Sequence, residues 1–244
     1  MRPPRPSLSV GFVNLTLHLG RAVVLLAVVT AGCADGSARQ RSLEDTPSRR
    51  IAVCGVDRSG SYDDFVKVGL ELCARVVAQA SAGDEIVVRW ISEASYQNDD
   101  FVERIKLPGG EPTCANPFDA RCRRERTAFD AQLLQIKRAS VERLVKLQAT
   151  RSQRTDILGF FQAAADELAG APAGVQRWVY VATDLEENVH HQVSPDLKDV
   201  RVVVFALKTG RDPVSAVRLR RDWEDRLKTF GVVKVTFQAA EVTP

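Results

Sequence analysis

The stretch IAVCGV, residues 51–56, is apolar at every position, as a strand covered on both faces is. EIVVRWI, RWVYVAT, VRVVVFAL and VVKVTFQA repeat that pattern further along the chain, and FVERIK reads as a shorter strand that turns back at Pro108-Gly109-Gly110. Between these runs the period changes. From Ser61 to about Ala80, Phe65, Gly69, Leu72, Val76 and Ala80 recur at helical spacing. A second helix is predicted from Arg121 to about Ala149, with Phe129, Leu133, Ile136, Ser140, Leu144 and Leu147 on one stripe. DILGFFQAAADELAG makes a third helix that ends at a glycine. PVSAVRLRRDWEDRLKTFG makes a fourth, with proline in its first turn and glycine at its close. Strands that alternate with helices and stay apolar throughout predict an α/β fold. Its centre is a doubly wound, mostly parallel sheet flanked by helices, with a helical insertion around 110–150.

The beginning of the chain has a different texture. Residues 1–32 carry Arg2, Arg5 and Arg21 and no acid, then the apolar run AVVLLAVVT, then Ala31-Gly32-Cys33. A basic start, a short apolar stretch and small residues before a cleavage point form a secretory signal. The apolar run is about nine residues, whereas a membrane span needs about 20; the competing reading is an anchor that also recruits the upstream VGFVNLTLHLG. The tetrapeptide TAGC resembles a bacterial lipoprotein signal, with Thr30 where leucine is usual. That resemblance implies lipidation of Cys33 and attachment of the mature protein to a membrane of the bacterial envelope. Residues 33–49 are polar and read as a tether, with a reach of roughly 20–24 Å for its sixteen residues after Cys33. The domain proper is 50–244.

Charge then has to be recounted. The full chain holds 34 Lys and Arg against 31 Asp and Glu. Without the leader the two are equal, so the basic balance belongs to targeting and does not point to nucleic acid. Of the remaining cysteines, Cys114 and Cys122 bracket a proline-containing loop and are expected to close it as a disulfide, which an exported protein permits. Cys54 and Cys73 lie in apolar stretches and are expected to be buried thiols. With no CxxC and no nearby histidine, a zinc site is not indicated.

Ligands of open α/β sheets bind at the carboxyl ends of the strands. Three separate places put hard oxygen donors there: Asp57, Ser59 and Ser61 after the first strand, Thr155 and Asp156 at the start of the third helix, and Asp184 after RWVYVAT. Such donors suit Mg²⁺ or Mn²⁺. Taken singly each has a plainer explanation, since Ser, Thr and Asp are also preferred helix caps. Together, the residues D-R-S-G-S, a later T-D opening a helix and V-A-T-D after a strand resemble the von Willebrand factor A domain. The resemblance covers roughly residues 50 to 240. It implies a metal-ion-dependent adhesion site formed by Asp57, Ser59, Ser61, Thr155 and Asp184. It also implies a protein partner that supplies an acidic residue to the metal, and a binding module rather than an enzyme. The chain departs from the family in a longer interval between Ser61 and Thr155, and in Leu185 where glycine is common.

Other chemistries find less support. His190-His191 sits in a polar stretch without partnered ligands and reads as surface, and GxSxG, GxGxxG and GxxxxGK[ST] are absent. A Mg²⁺-dependent hydrolase using the same acids, and a structural module without metal, are the alternative functions. Arg121 to Arg154 contains ten basic residues against three acids. That excess is either a solvated helix face or a surface for an acidic partner or anionic lipid headgroups. Arg151 and Arg154, just ahead of Thr155, are candidate partner contacts.

Overall fold

The computed structural model describes residues 49–116, 118–189, 193–205 and 213–238. The leader, Cys33, the tether up to residue 48 and His190-His191 lie outside them. Among the described residues six strands form one sheet: β1 (Arg50–Asp57), β2 (Glu85–Ile91), β3 (Phe101–Lys106), β4 (Gln176–Ala182), β5 (Val200–Phe205) and β6 (Lys234–Gln238). Their order across the sheet is β3-β2-β1-β4-β5-β6. Every neighbouring pair is parallel except β2 and β3, which run antiparallel. The chain therefore winds outward from β1 in one direction and, after β3, from β4 in the other. The order reverses between β1 and β4, the kind of switch point at whose carboxyl ends open α/β sheets hold their ligands.

Among the described residues four α-helices cover the sheet: α1 (Val66–Ala78), α2 (Ala120–Val145), α3 (Ile157–Ala169) and α4 (Pro213–Thr229). The alternation of side chains along β1 divides the core. Ala52, Cys54 and Val56 face α1 and α2 and pack with Leu70, Cys73, Val77 and Leu144. Val53 belongs to the opposite face, where α3 and α4 bring Phe160, Phe161, Trp223 and Leu227. Phe160 and Phe161 are fully buried, and burial of such a ring stabilises the fold by about 1.5–3 kcal/mol. Gly55 lets α3 come down onto β1: a Cβ there would stand 2.5 Å from Cε2 and Cζ of Phe160.

Cys54 and Cys73 are joined in a disulfide with Cα atoms 6.0 Å apart, in place of the expected thiols. Cys54 points from β1 to the face that α1 covers, and Cys73 lies on the buried stripe of α1. Packing of that helix on that strand brings the two sulfurs together. Cys114 and Cys122 are also joined, with Cα atoms 5.8 Å apart.

Candidate functional site

Asp57 is the last residue of β1, and the chain beyond it is held on both sides. The Arg58 amide donates to the Ile91 carbonyl at the end of β2, at 3.1 Å. Ser59 pairs as a short parallel bridge with Ser152. The Gly60 amide donates to the Ser152 carbonyl and the Ser152 amide to the Arg58 carbonyl, at 3.1 and 2.9 Å. The segment from α2 to α3 is thus fastened along the loop that leaves β1. A second fastening runs from Asp156, whose amide donates to the Ser92 carbonyl beyond β2 at 2.6 Å. A third comes from Asn188, whose side-chain oxygen accepts from the Thr155 amide at 2.7 Å. These bonds carry Thr155 to the carboxyl end of the sheet, where Asp57 and Asp184 also lie.

Within this frame the donors are nearly closed off from water. Asp57 and Thr155 are 0 % exposed, Ser59 2 % and Asp184 3 %; Ser61 is half-buried. Asp57 accepts from the Ser59 amide at 2.8 Å on one oxygen and from the Thr183 hydroxyl at 2.7 Å on the other. The hydroxyls of Ser59 and Ser61 are 3.1 Å apart and share a hydrogen bond. Asp184 accepts from the Glu186 amide at 2.9 Å. Thr155 Oγ1 is buried and has no hydrogen-bond partner among the described residues, and the Tyr62 hydroxyl is in the same condition.

The serines do not cap α1. That helix begins at Val66 after a 3₁₀ turn at Asp63–Phe65, and neither start has a side-chain cap bond. The capping positions of that turn and of α1 are Tyr62 and Phe65, not the serines. The plainer account holds for Asp156, which caps α3 by accepting from the Gly159 amide at 2.7 Å.

Electrostatics at this end run against ionised carboxylates. Burial pushes the Asp57 carboxyl up to about 6, opposed by the Ser59 amide and the Thr183 hydroxyl, and the charge of Asp184 adds to the rise. Burial, then Asp57 and Asp184, also drives the Tyr62 phenol upward. Beside α3, Glu187 accepts from the Leu158 amide at 2.9 Å. Burial, with a smaller push from Asp156, takes its carboxyl to about 7.

The donor set suits a small divalent cation. It offers two carboxylates, Asp57 and Asp184, and three hydroxyls, Ser59, Ser61 and Thr155. All are hard oxygens of the kind Mg²⁺ and Mn²⁺ prefer. Among the described residues no three His, Cys, Asp or Glu side chains gather as a metal cluster, so a site of this kind depends on its hydroxyls. Of the two candidate partner contacts, Arg151 lies over the loop. Its guanidinium stands 3.5 Å from the Gly60 carbonyl and occupies the space where a Cβ on Gly60 would sit. Arg154 is exposed.

Sequence reasoning did not find several supports. Thr183, inside the VATD stretch, holds Asp57 across 126 positions of sequence. Asn188 holds Thr155. Arg58, the variable residue of DRSGS, pairs with buried Asp100 at 2.9 Å, and Asp100 also accepts from the Ser92 hydroxyl. Leu185, at the position where glycine is common in the family the sequence resembles, adopts a left-handed backbone, φ +64°. Its side chain is buried, and its carbonyl accepts from the Trp223 indole at 3.0 Å. Those contacts hold a conformation that costs a non-glycine residue about 1–2 kcal/mol.

No family model matches the chain, and no curated protein matches it in sequence. Among solved structures it is similar to a von Willebrand factor type A protein from Catenulispora acidiphila, at 15% identity and TM-score 0.44, over 75% of this chain and 43% of that one. It is similar to proximal thread matrix protein 1 of the mussel byssus at 13% identity and TM-score 0.45, over 79% of this chain and 44% of that one. An aerotolerance-related membrane protein from Bacteroides fragilis, carrying multiple mutations to serines, gives 13% identity and TM-score 0.43, over 79% of this chain and 92% of that one. The chain spans less than half the length of the first two.

Proposed function

We propose that this domain binds a protein partner through a divalent cation, Mg²⁺ or Mn²⁺, held by Asp57, Ser59, Ser61, Thr155 and Asp184. The domain is then a binding module of the bacterial envelope, tethered to a membrane through lipidated Cys33, and not an enzyme. The observation that carries the reading is the buried Thr155 hydroxyl, without a hydrogen-bond partner among the described residues, at the end of the sheet where Asp57 and Asp184 are buried. A buried polar atom left unsatisfied is expensive. Two desolvated carboxylates are as well, and a divalent cation answers both deficits. When bound, such an ion supplies an electrophilic position for a carboxylate oxygen of the partner. The chain's own part is to hold the donors. The Ser59 amide and Thr183 hydroxyl fix the Asp57 carboxylate, Asn188 fixes the backbone of Thr155, and the Arg151 guanidinium over Gly60 adds positive charge for an acidic partner.

Calorimetric titration of Mg²⁺ and Mn²⁺ into chelator-treated protein, residues 34–244, tests the reading, with Asp57→Ala alongside. Saturable binding that the variant loses is the expected result. Absence of heat and of any ion-dependent rise in Tm, in a sample shown to be folded, overturns it. Mg²⁺-dependent turnover of a phosphate ester, lost in the same variant, would instead assign the acids to a hydrolase.

A further inference from the structure

Tyr62 follows the second serine of DRSGS directly, and both of its backbone groups shape the loop. Its amide donates to the Ser59 carbonyl at 3.1 Å, and its carbonyl accepts from the Phe65 amide at 2.8 Å. The first bond closes a turn over Gly60 and Ser61, so the serines and Tyr62 are set by one piece of backbone. The second carries the chain into the 3₁₀ turn that leads to α1. The side chain lies beneath this loop and is 0 % exposed. Its ring is 5.6 Å from that of Phe65 and joins the core that β1, α1 and α2 share.

Packing accounts for an aromatic ring at this position, but not for a tyrosine. Phenylalanine fills the same space, and a buried phenol ordinarily bonds its hydroxyl. The Tyr62 hydroxyl is buried and has no hydrogen-bond partner among the described residues. The charged groups that act on it are Asp57 and Asp184, the two acids of the candidate site. It donates to neither of them. Asp57 takes its bonds from the Ser59 amide and the Thr183 hydroxyl, and Asp184 accepts from the Glu186 amide. A strong donor is thus fixed beside two acids and left idle.

We propose that Tyr62 is a positioning residue for the cation, whose O–H donates to a carboxylate oxygen of the Asp57–Asp184 pair when the ion is held. The inference rests on the cation reading of the site and adds an outer donor that the ligand set does not contain. Carboxylates that bind a metal are held in turn by hydrogen bonds from groups that do not touch it. A bond to a carboxylate is also stronger than one between neutral groups. The core already fixes the Tyr62 ring, so the bond needs little further ordering. The hydroxyl therefore works against the ion-free domain and for the ion-bound one.

The test compares Tyr62→Phe with the native chain, both treated with chelator, by urea unfolding and by calorimetric titration of Mg²⁺ and Mn²⁺. Phenylalanine keeps the ring in the core and removes only the hydroxyl. In chelator the variant should unfold at the same urea concentration as the native chain or a higher one, because a buried group without a partner is gone. Its affinity for the ion should nevertheless fall by about 10–100-fold. A residue that only packs would not move the two readouts apart in this way. Ultraviolet difference spectra supply a signature. Saturating ion should shift a tyrosine band of the native chain to longer wavelength, as a phenol does on gaining an acceptor. Tyr62→Phe, which retains Tyr96 and Tyr180, should lack that shift. Unchanged affinity in the variant, a lower urea midpoint in chelator, or a band shift that persists in the variant overturns the inference and leaves the ligand set in place. A folded native chain that binds neither ion overturns the site and the inference with it, so the two failures are told apart.

Discussion

Replacing Asp57 by asparagine separates what its carboxylate does for folding from what it does for a ligand. In the unfolded chain the group ionises near 3.8, whereas burial in the folded domain raises it to about 6. Between those values the folded state keeps a proton that the unfolded state has released. The stability it contributes is fully present below pH 3.8 and is lost as pH rises through 6. Two pKa units at about 1.4 kcal/mol each amount to about 3 kcal/mol lost by pH 7 when no cation is present. Asp57→Asn has no charge to desolvate. Its side-chain oxygen still accepts from the Ser59 amide, while the bond with Thr183 must reverse, at about 1 kcal/mol. The variant should then exceed the native domain by about 2 kcal/mol at pH 7 and fall about 1 kcal/mol below it at about pH 3. Urea unfolding in chelator across this range measures both. Glu187, also raised, titrates in both proteins, so the difference between them isolates Asp57. A difference that stays constant with pH refutes the reasoning. Adding Mg²⁺ or Mn²⁺ should then reverse the ranking, because the ion stabilises the native protein alone.

Thr155→Val keeps the side-chain shape and removes the unpartnered hydroxyl. It should raise ion-free stability by about 1 kcal/mol while weakening cation binding in the same titration. Cys54→Ala/Cys73→Ala opens a link across 19 residues, worth about 3 kcal/mol from loop entropy. A denaturation midpoint unchanged from the oxidised native protein would contradict that figure. Gly55→Ala drives a methyl group into the ring of Phe160 and should cost about 1–3 kcal/mol. Combining it with Phe160→Leu should return part of the lost Tm.

The strands and helices were legible because their apolar positions keep one period over a whole element. The candidate donors were legible because DRSGS and VATD sit within a few residues of a strand end. What stayed hidden depends on contacts between distant segments. Thr183 reaches Asp57 only because β4 lies beside β1, and Cys54 meets Cys73 only because α1 lies across β1. Asn188 gives no local signal, since its role is to hold the backbone of a residue on another loop. The extent to which α2, at 26 residues, outruns the 13-residue α1 was hidden in a different way. The helical period of 121–149 is continuous, but only packing shows that α1 ends about halfway along it.

The Cys54–Cys73 bond also makes the hold of α1 on β1 depend on redox conditions. In a reducing compartment the two sulfurs are thiols, and β1 and α1 hold together by packing alone. In an oxidising one the bond closes across the element pair that carries Asp57, Ser59 and Ser61. The loop that presents the candidate donors, held in either state by its backbone bonds to Ile91 and Ser152, then has its base tied covalently to the helix behind it.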